Sequence, residues 1–334
     1  MTLRVPFWMR KLGQLWRLVR ESHARPLAGS SSRPPRVSPA DTSITFIGHS
    51  SFLIQTSGKA LLIDPVFATR LIVLRRQRRP GVHIADLPQI DAVLLTHAHM
   101  DHLNRPSLRA ILREMRRRGL PAPVAIVPKR VEDLILDLGF SRVETLEWWE
   151  STHLSDNPPS KDRKPHLIES NHSFDRSPHE STLTITATPA RHWGARMFND
   201  THRGYGGYVI ASSAGPVIYH SGDTAYFRGF TEIGRHLNPD IALLPIGAYF
   251  PDSYRAVHTS PEEALQAFID LEANVMIPMH YGTFNLGREP MEEPLPRLLQ
   301  AAARAGVTDC VEALAEGQSW MSAESAEIER DGTA

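Results

Sequence analysis

Short apolar runs punctuate the chain: ITFIG from Ile44, SFLIQT from Ser51, KALLIDP from Lys59, IDAVLLT from Ile90, PVAIVP from Pro123, STLTITATP from Ser181, GYVIAS from Gly207, PVIYH from Pro216, IALLPIG from Ile241 and NVMIPM from Asn274. Their length, β-branched content and flanking Gly, Pro and Asp residues predict strands. Helical periodicity appears between them, over 106–118, 131–138 and 261–271. The last opens with Ser260-Pro261-Glu262-Glu263, which supplies an N-cap, a proline for the first turn and a capping-box glutamate. Strands dominate both halves of the chain and helices flank them, so the pattern predicts two sheets packed face to face with helices outside.

The segment before Ile44 differs. Trp8, Leu12, Leu15, Trp16 and Val19 share one helical face and Arg10, Lys11, Arg17 and Arg20 lie elsewhere around it, which predicts a basic amphipathic helix over 1–22. Its longest apolar run, 5–9, is too short to span a membrane or to form a signal-peptide core. Two settings suit it: a membrane interface, or the surface of the body. A Ser/Pro/Arg-rich linker follows and closes a first segment at 1–40; the domain proper spans 41–320 and a polar tail 321–334. Within the domain, 151–180 holds Pro158, Pro159, Pro165 and Pro178 among many polar residues and reads as a mobile loop. Arg70, Arg75, Arg76, Arg78 and Arg79, interleaved with Leu71, Ile72, Val73 and Leu74, read as a basic loop over 70–79 that would meet an anionic head-group surface or remain a solvated face.

Composition narrows the chemistry. With 41% hydrophobic and 22% charged residues, wholesale disorder is excluded. The 37 basic and 37 acidic side chains cancel, yet residues 1–40 hold eight Lys or Arg against the single acid Glu21, so a basic arm precedes an acidic body. That body gives no electrostatic reason to bind nucleic acid. Cys310 is the only cysteine, which rules out an intrachain disulfide and a cysteine-rich zinc framework. Any metal must be held by histidines and carboxylates.

Such ligands are concentrated in Thr96-His97-Ala98-His99-Met100-Asp101-His102, directly after the apolar run IDAVLL. Imidazole and carboxylate are what divalent ions accept where thiolate is missing. His192, Asp223 and His280 each follow another predicted strand, where chain ends of one sandwich rim come together. These seven groups are too many for one tetrahedral ion. The simplest division gives His97, His99 and His192 to one ion and Asp101, His102 and His280 to a second, with Asp223 bridging. Two ions about 3.5–4 Å apart would then share a water acidified toward a pKa of about 7. Zinc is the default from ligand type, and Mn2+ or Fe2+ suits the same donors. Asp64, in LLIDP, is placed to accept the free N–H of a ligand histidine. Trp148 and Trp149 read as structural, and His49, in the GHSS turn, as ambiguous.

The HAHMDH string with the later His192, Asp223 and His280 resembles the metallo-β-lactamase superfamily, from about Ile44 to about Ala315. The strings FIGHSSFLIQ, LLIDPVF, LEWWE, TPARHW, SGDTAYF, LLPIGAYFP, HTSPEEA and MHYGTF resemble, within it, the N-acylphosphatidylethanolamine-hydrolysing phospholipase D family and its bacterial relatives. The resemblance implies a four-layer αββα sandwich with a two-metal site on one rim, the seven ligands carried over without substitution. It also implies a phosphodiesterase in which a metal-bound hydroxide attacks phosphorus, with Asp101 and Asp223 orienting it. His258, in HTSPEEA, is the candidate head-group contact or proton donor to the leaving group. Tyr249, Phe250 and Phe284, with Tyr226 and Phe227, are candidates for an apolar substrate channel.

Two other readings use the same residues: a lactonase or other ester hydrolase with the same site, and a non-catalytic metal-binding scaffold at a membrane. The expected partner is a small-molecule or phospholipid substrate, with peripheral membrane contact through 1–22 and 70–79 and no nucleic acid. The expected location is cytoplasmic, either free or peripheral on the inner face of a membrane. The oligomeric state stays open, a homodimer included.

Overall fold

The computed structural model describes residues 16, 18–155, 166–167, 182–197 and 200–322. Two seven-stranded sheets lie face to face. The first runs in the order β16 (Ser319–Met321), β1 (Ser43–Gly48), β2 (Ser51–Thr56), β3 (Lys59–Ile63), β6 (Ala92–Leu94), β7 (Val124–Pro128), β8 (Arg142–Leu146). The second runs β10 (His166–Leu167), β9 (Glu150–Leu154), β11 (Leu183–Thr188), β12 (Gly207–Ala211), β13 (Ile218–His220), β14 (Ile241–Pro245), β15 (Val275–Met279). A hairpin of β4 (Arg70–Leu71) and β5 (Leu74–Arg75) stands apart.

The inner strands of both sheets are buried on both faces, and the alternation of side chains sorts them into layers. Phe52, Ile54, Leu61, Ile63 and Leu94 face Ile185, Ile210, Ile218, Leu243 and Ile277 across the sandwich interior. The intervening Leu53, Leu62 and Val93 face outward onto Leu108, Ile111, Leu112 and Met115 of α1 (Arg105–Arg117). On the other side, Val209, Tyr219, Ala242 and Leu244 meet α2 (Gly229–Leu237), α3 (Pro261–Leu271) and α4 (Pro294–Ala305). The result is the αββα order expected from the sequence. Asn104 caps α1 by accepting from Ser107 N–H, and Ser260 with Glu263 forms the predicted capping box of α3.

Several expectations change. Residues 131–138 form only a one-turn 3-10 helix, Glu132–Leu134, in a short segment bounded by Pro128 and Gly139. Helices α2 and α4 carry the same packing role without having been anticipated. The supposed loop 151–180 begins as a strand: Ser151–Leu154 complete β9 and pair with β11, so this polar sequence is held by its neighbour rather than by its own apolarity. Residues 166–167 add a short strand, and the rest of that segment lies outside the described residues. Met321, assigned to the tail, ends β16. The linker lies along the body, with Ala28 N–H donating to Gln77 O and Ser32 N–H to Gly81 O. Most of the segment 1–22, expected to be helical, lies outside the described residues; residues 18–24 are helical and packed on the body through Ser22, which Arg75 N–H and Gln77 Nε2 both reach.

Topology fixes where strand ends meet. Strand β3 is parallel to β6, and β2 is antiparallel to β3, so the β1–β2 turn lies at the same rim as the C-terminal end of β6. In the second sheet β13, β14 and β15 are mutually parallel, and β11 shares their direction because it is antiparallel to β12, itself antiparallel to β13. The C-terminal ends of β6, β11, β13 and β15 carry the ligand-type residues singled out from sequence.

Candidate metal centre

Asp223 follows β13 on the Ser221-Gly222 turn and is buried. Its Oδ2 lies 3.0 Å from His280 Nε2, 3.2 Å from His102 Nε2, 3.9 Å from His192 Nε2, 3.9 Å from His258 Nδ1 and 4.0 Å from His97 Nε2. Five imidazoles from four separate stretches of chain thus surround one carboxylate oxygen. His97, His99 and His192 form one group of converging nitrogens, and His49, Asp101, His102 and His280 form another. Within the first, His97 Nε2 is 2.9 Å and His192 Nε2 is 3.3 Å from His99 Nδ1.

Hydrogen bonds on the far side of the rings decide which nitrogens face inward. His192 Nδ1–H donates to Val257 O at 2.8 Å. Asp64, wholly buried after β3 with φ of 42°, accepts Thr96 N–H on Oδ1 and the Thr96 hydroxyl on Oδ2. The same hydroxyl, its proton committed to Asp64, accepts His97 Nδ1–H at 3.0 Å, and His102 Nδ1–H donates to Asp64 Oδ2 at 2.7 Å. One carboxylate therefore sets two rings with Nε2 aimed into the centre.

The charge pattern differs between the two groups. Burial, with neighbouring His102, His99 and His192, holds His97 well below the ordinary histidine range. Burial does the same to His192, against Asp223. These are neutral imidazoles, the protonation state a metal takes. Burial also disfavours charge on His102, but Asp223, Asp64 and Asp101 overcome it and raise the ring well above the usual value; His280, buried beside Asp223 and Asp101, is raised to about 9. Burial works against ionising Asp101 and Asp223 too, and His102 foremost among their cationic neighbours holds both well below the carboxylate range. The second group thus gathers positive charge around its acids.

The residues fit divalent ions on an observation independent of charge. His102 Nε2, both nitrogens of His280, Asp223 Oδ1, His258 Nδ1 and His49 Nδ1 are buried without a hydrogen-bond partner, although several lie close to one another. A buried polar atom left unpaired costs about 1–3 kcal/mol. Of these, His102 Nε2, His280 Nε2 and His258 Nδ1 lie within 4.0 Å of Asp223 Oδ2, and such a cluster of unpaired donor atoms is what cation coordination satisfies.

Not every candidate falls at this centre. His258 does, its side chain 12% exposed, and burial pushes it down to about 4. Tyr249 donates its hydroxyl to Glu293 and lies under Arg297, and with Phe250 it lines a cleft shared with Tyr226 and Arg255. Phe284 is buried edge-on to His49, with ring centroids 5.3 Å apart, as packing behind the site. Phe227 packs on Phe230 in the helical layer. Trp148 is half exposed and donates to Tyr205 O.

Two residues belong at the centre that sequence reasoning did not assign there. His49 Nε2 is 3.0 Å from Asp101 Oδ2, and its carbonyl accepts His280 N–H, so the β1–β2 turn is stitched to the ligand loops. Its position in a Gly-His-Ser turn between two strands was the available signal. Trp193, 42% exposed, stands over His99 and His192 at centroid distances of 4.6 and 4.4 Å.

Residues 59–281 match the model of the beta-lactamase superfamily domain. The chain belongs to the metallo-β-lactamase superfamily. It is similar to a metal-dependent hydrolase of Myxococcus xanthus, 30% identical over 77% of this chain and 76% of that one. It is equally similar, at 30% identity over 79% of its length, to the mitochondrial N-acyl-phosphatidylethanolamine-hydrolyzing phospholipase D of Saccharomyces cerevisiae, about half of which (53%) it spans. The solved metallo hydrolase Igni18 from Ignicoccus hospitalis superposes with a TM-score of 0.56 and 26% identity, covering 84% of this chain and 98% of that one. Like these metallo-β-lactamase relatives, the chain is a metal-dependent hydrolase. Among the described residues no helix is long and apolar enough to cross a membrane.

Proposed function

We propose that this metallo-β-lactamase chain is a two-metal phosphodiesterase of the phospholipase D type, acting on N-acylphosphatidylethanolamine-like phospholipids, with zinc as the default ion. The observation that carries the two-metal reading is Asp223 Oδ2, within 4.0 Å of nitrogens from both histidine groups. The phospholipid reading is supported by the similarity to the yeast phospholipase and by the matching strings around the site.

His97, His99 and His192 would hold one ion, Asp101, His102 and His280 the other, and Asp223 both. Divalent ions held there supply Lewis acidity, neutralising phosphate oxygens and lowering the pKa of water toward about 7. The protein contributes preorganisation: Asp64 orients His97 and His102, the Val257 carbonyl orients His192, and His49 holds Asp101. His258 is neutral at pH 7, which favours a hydrogen bond to substrate oxygen over the role of a proton-loaded acid. Trp193, partly exposed, packs against the rings of both His99 and His192.

The test is a parallel assay of the protein, before and after chelation and zinc restoration, against an N-acylphosphatidylethanolamine, a soluble aryl phosphodiester and a lactone. Release of phosphatidic acid, lost on chelation and restored by metal, supports the proposal. Lactone turnover with no phosphodiester turnover replaces it with an ester hydrolase, and full metal loading with no turnover of any substrate replaces it with a metal-binding scaffold.

A further inference from the structure

The basic stretch 70–79 is not the open loop its sequence suggests. Arg76 is wholly buried, its guanidinium donating to the carbonyls of Val66, Ile47 and Arg78. Arg78 pairs with Glu316 at 2.6 Å. What remains at the surface is Arg79 and the small β4–β5 hairpin, with Ile72 and Val73 at its tip, 73% and 43% exposed. Ile72 also has φ of 53°. A β-branched residue is poorly suited to the left-handed conformation, where Asn or Gly would serve the fold better. The tip therefore combines two features that folding alone does not favour: exposed aliphatic side chains and a strained residue type.

The surroundings are basic. Arg70 and Arg75 flank the tip, Arg70 lies against His23 at 3.1 Å, and the helical turn carrying exposed Arg20 packs at the hairpin through Ser22. Ion pairs nearby fall on Arg25, Arg33 and Arg78, leaving Arg20, Arg70 and Arg75 without a carboxylate partner among the described residues. Trp16, itself helical and 73% exposed, lies two positions before that turn begins. At the base of the hairpin Leu71 packs with Val66 and Phe284, and Phe284 in turn lies against His49.

The geometry points to the Ile72-Val73 hairpin tip as an insertion wedge that docks the protein on an anionic lipid surface. Two aliphatic side chains enter the acyl boundary while Arg70, Arg75 and Arg20 meet lipid phosphates, the combination that holds an interfacial element in a bilayer. A neutral protein partner would not call for the unpaired arginines, and a nucleic acid would not call for the aliphatic tip. The inference goes beyond the proposed reaction and stands whatever ester the site cleaves.

The experiment is co-sedimentation of the full-length protein with vesicles of phosphatidylcholine alone and of phosphatidylcholine mixed with phosphatidylglycerol. The expected result is binding to the mixed vesicles that weakens with salt and falls about tenfold in Ile72→Asn/Val73→Asp and in Arg70→Gln/Arg75→Gln. Asn suits the left-handed position, so the first variant should keep its thermal stability and its turnover of a soluble substrate, which separates lost docking from lost folding. Equal vesicle binding by wild type and both variants, or no vesicle binding by wild type, overturns the inference. So does a concentration-dependent dimer, seen by sedimentation velocity, that the tip variant abolishes while vesicles go unbound; the tip would then be a contact between two copies of the chain.

Discussion

His102 and Asp64 are joined by a 2.7 Å hydrogen bond between two wholly buried side chains, thirty-eight positions apart in sequence. The bond fixes the orientation of a ring whose other nitrogen faces Asp223, and through Thr96 the same carboxylate fixes His97. Asp64→Asn keeps the shape and tolerates the positive φ at this position, but presents only one carbonyl oxygen to several donors. Metal affinity is expected to fall about 10–100-fold. Titrating zinc into metal-free wild type and variant by calorimetry measures it, and unchanged affinity would refute the positioning role.

Asp223→Ala removes the carboxylate around which the five imidazoles gather. Turnover is expected to drop by about a thousandfold or more, with bound metal per chain reduced while the circular dichroism spectrum is kept. A variant that retained both turnover and full metal content would show that the bridge is not needed.

The metal-free protein should respond to pH on both sides. His280, raised to about 9, binds its proton in the folded state after the unfolded chain has released it near 6.5. Its stabilising contribution is complete below about 6.5 and is lost as pH rises through about 9; His102, raised well above 6.5, adds in the same direction. His49 and His258, lowered to about 4 chiefly by burial, act oppositely: the unfolded chain gains their protons first as pH falls below 6.5, which favours unfolding. Thermal melts of chelated protein should lose stability toward acid and toward alkali. Zinc-loaded protein should hold its stability further into the alkaline range, where ligand deprotonation favours the ion.

Gly247, just past β14, has no room for a side chain: a Cβ there would lie 2.1 Å from the carbonyl oxygen of His280. Gly247→Ala should displace the His280 backbone, costing about 1–3 kcal/mol in stability and weakening metal binding. Denaturant unfolding combined with metal analysis checks both, and an alanine variant equal to wild type in both would show that the loop yields freely.

The centre of the sandwich was legible because its apolar inner strands announce themselves locally. LLIDP and IDAVLLT carry the length and β-branched content of buried strands, and Ser260-Pro261-Glu262-Glu263 announces a helix start from short-range hydrogen bonds alone. Elements stabilised by what they pack against were not legible. Strand β9, ESTHL, is polar and exists because β11 offers it a ladder; residues 131–138 have helical spacing and settle for one 3-10 turn. The arginine-rich stretch shows the same limit, since nothing near Arg76 in sequence reveals that three carbonyls would bury it.

The amino-acid sequence by itself determined which side chains can do chemistry here: histidines and aspartates concentrated after apolar runs, with no thiol except Cys310 to compete as ligands. It determined this because ligand identity and strand propensity are properties of residues and their near neighbours. Only the tertiary structure decided that His49 joins them, that Tyr249 faces Glu293 and Arg297, that Asp64 aims two rings, and that Ile72 and Val73 stand out on a hairpin tip. Those outcomes depend on strand direction and register, which bring distant residues to one rim or turn them away from it, and they are set by the packing of the whole sandwich.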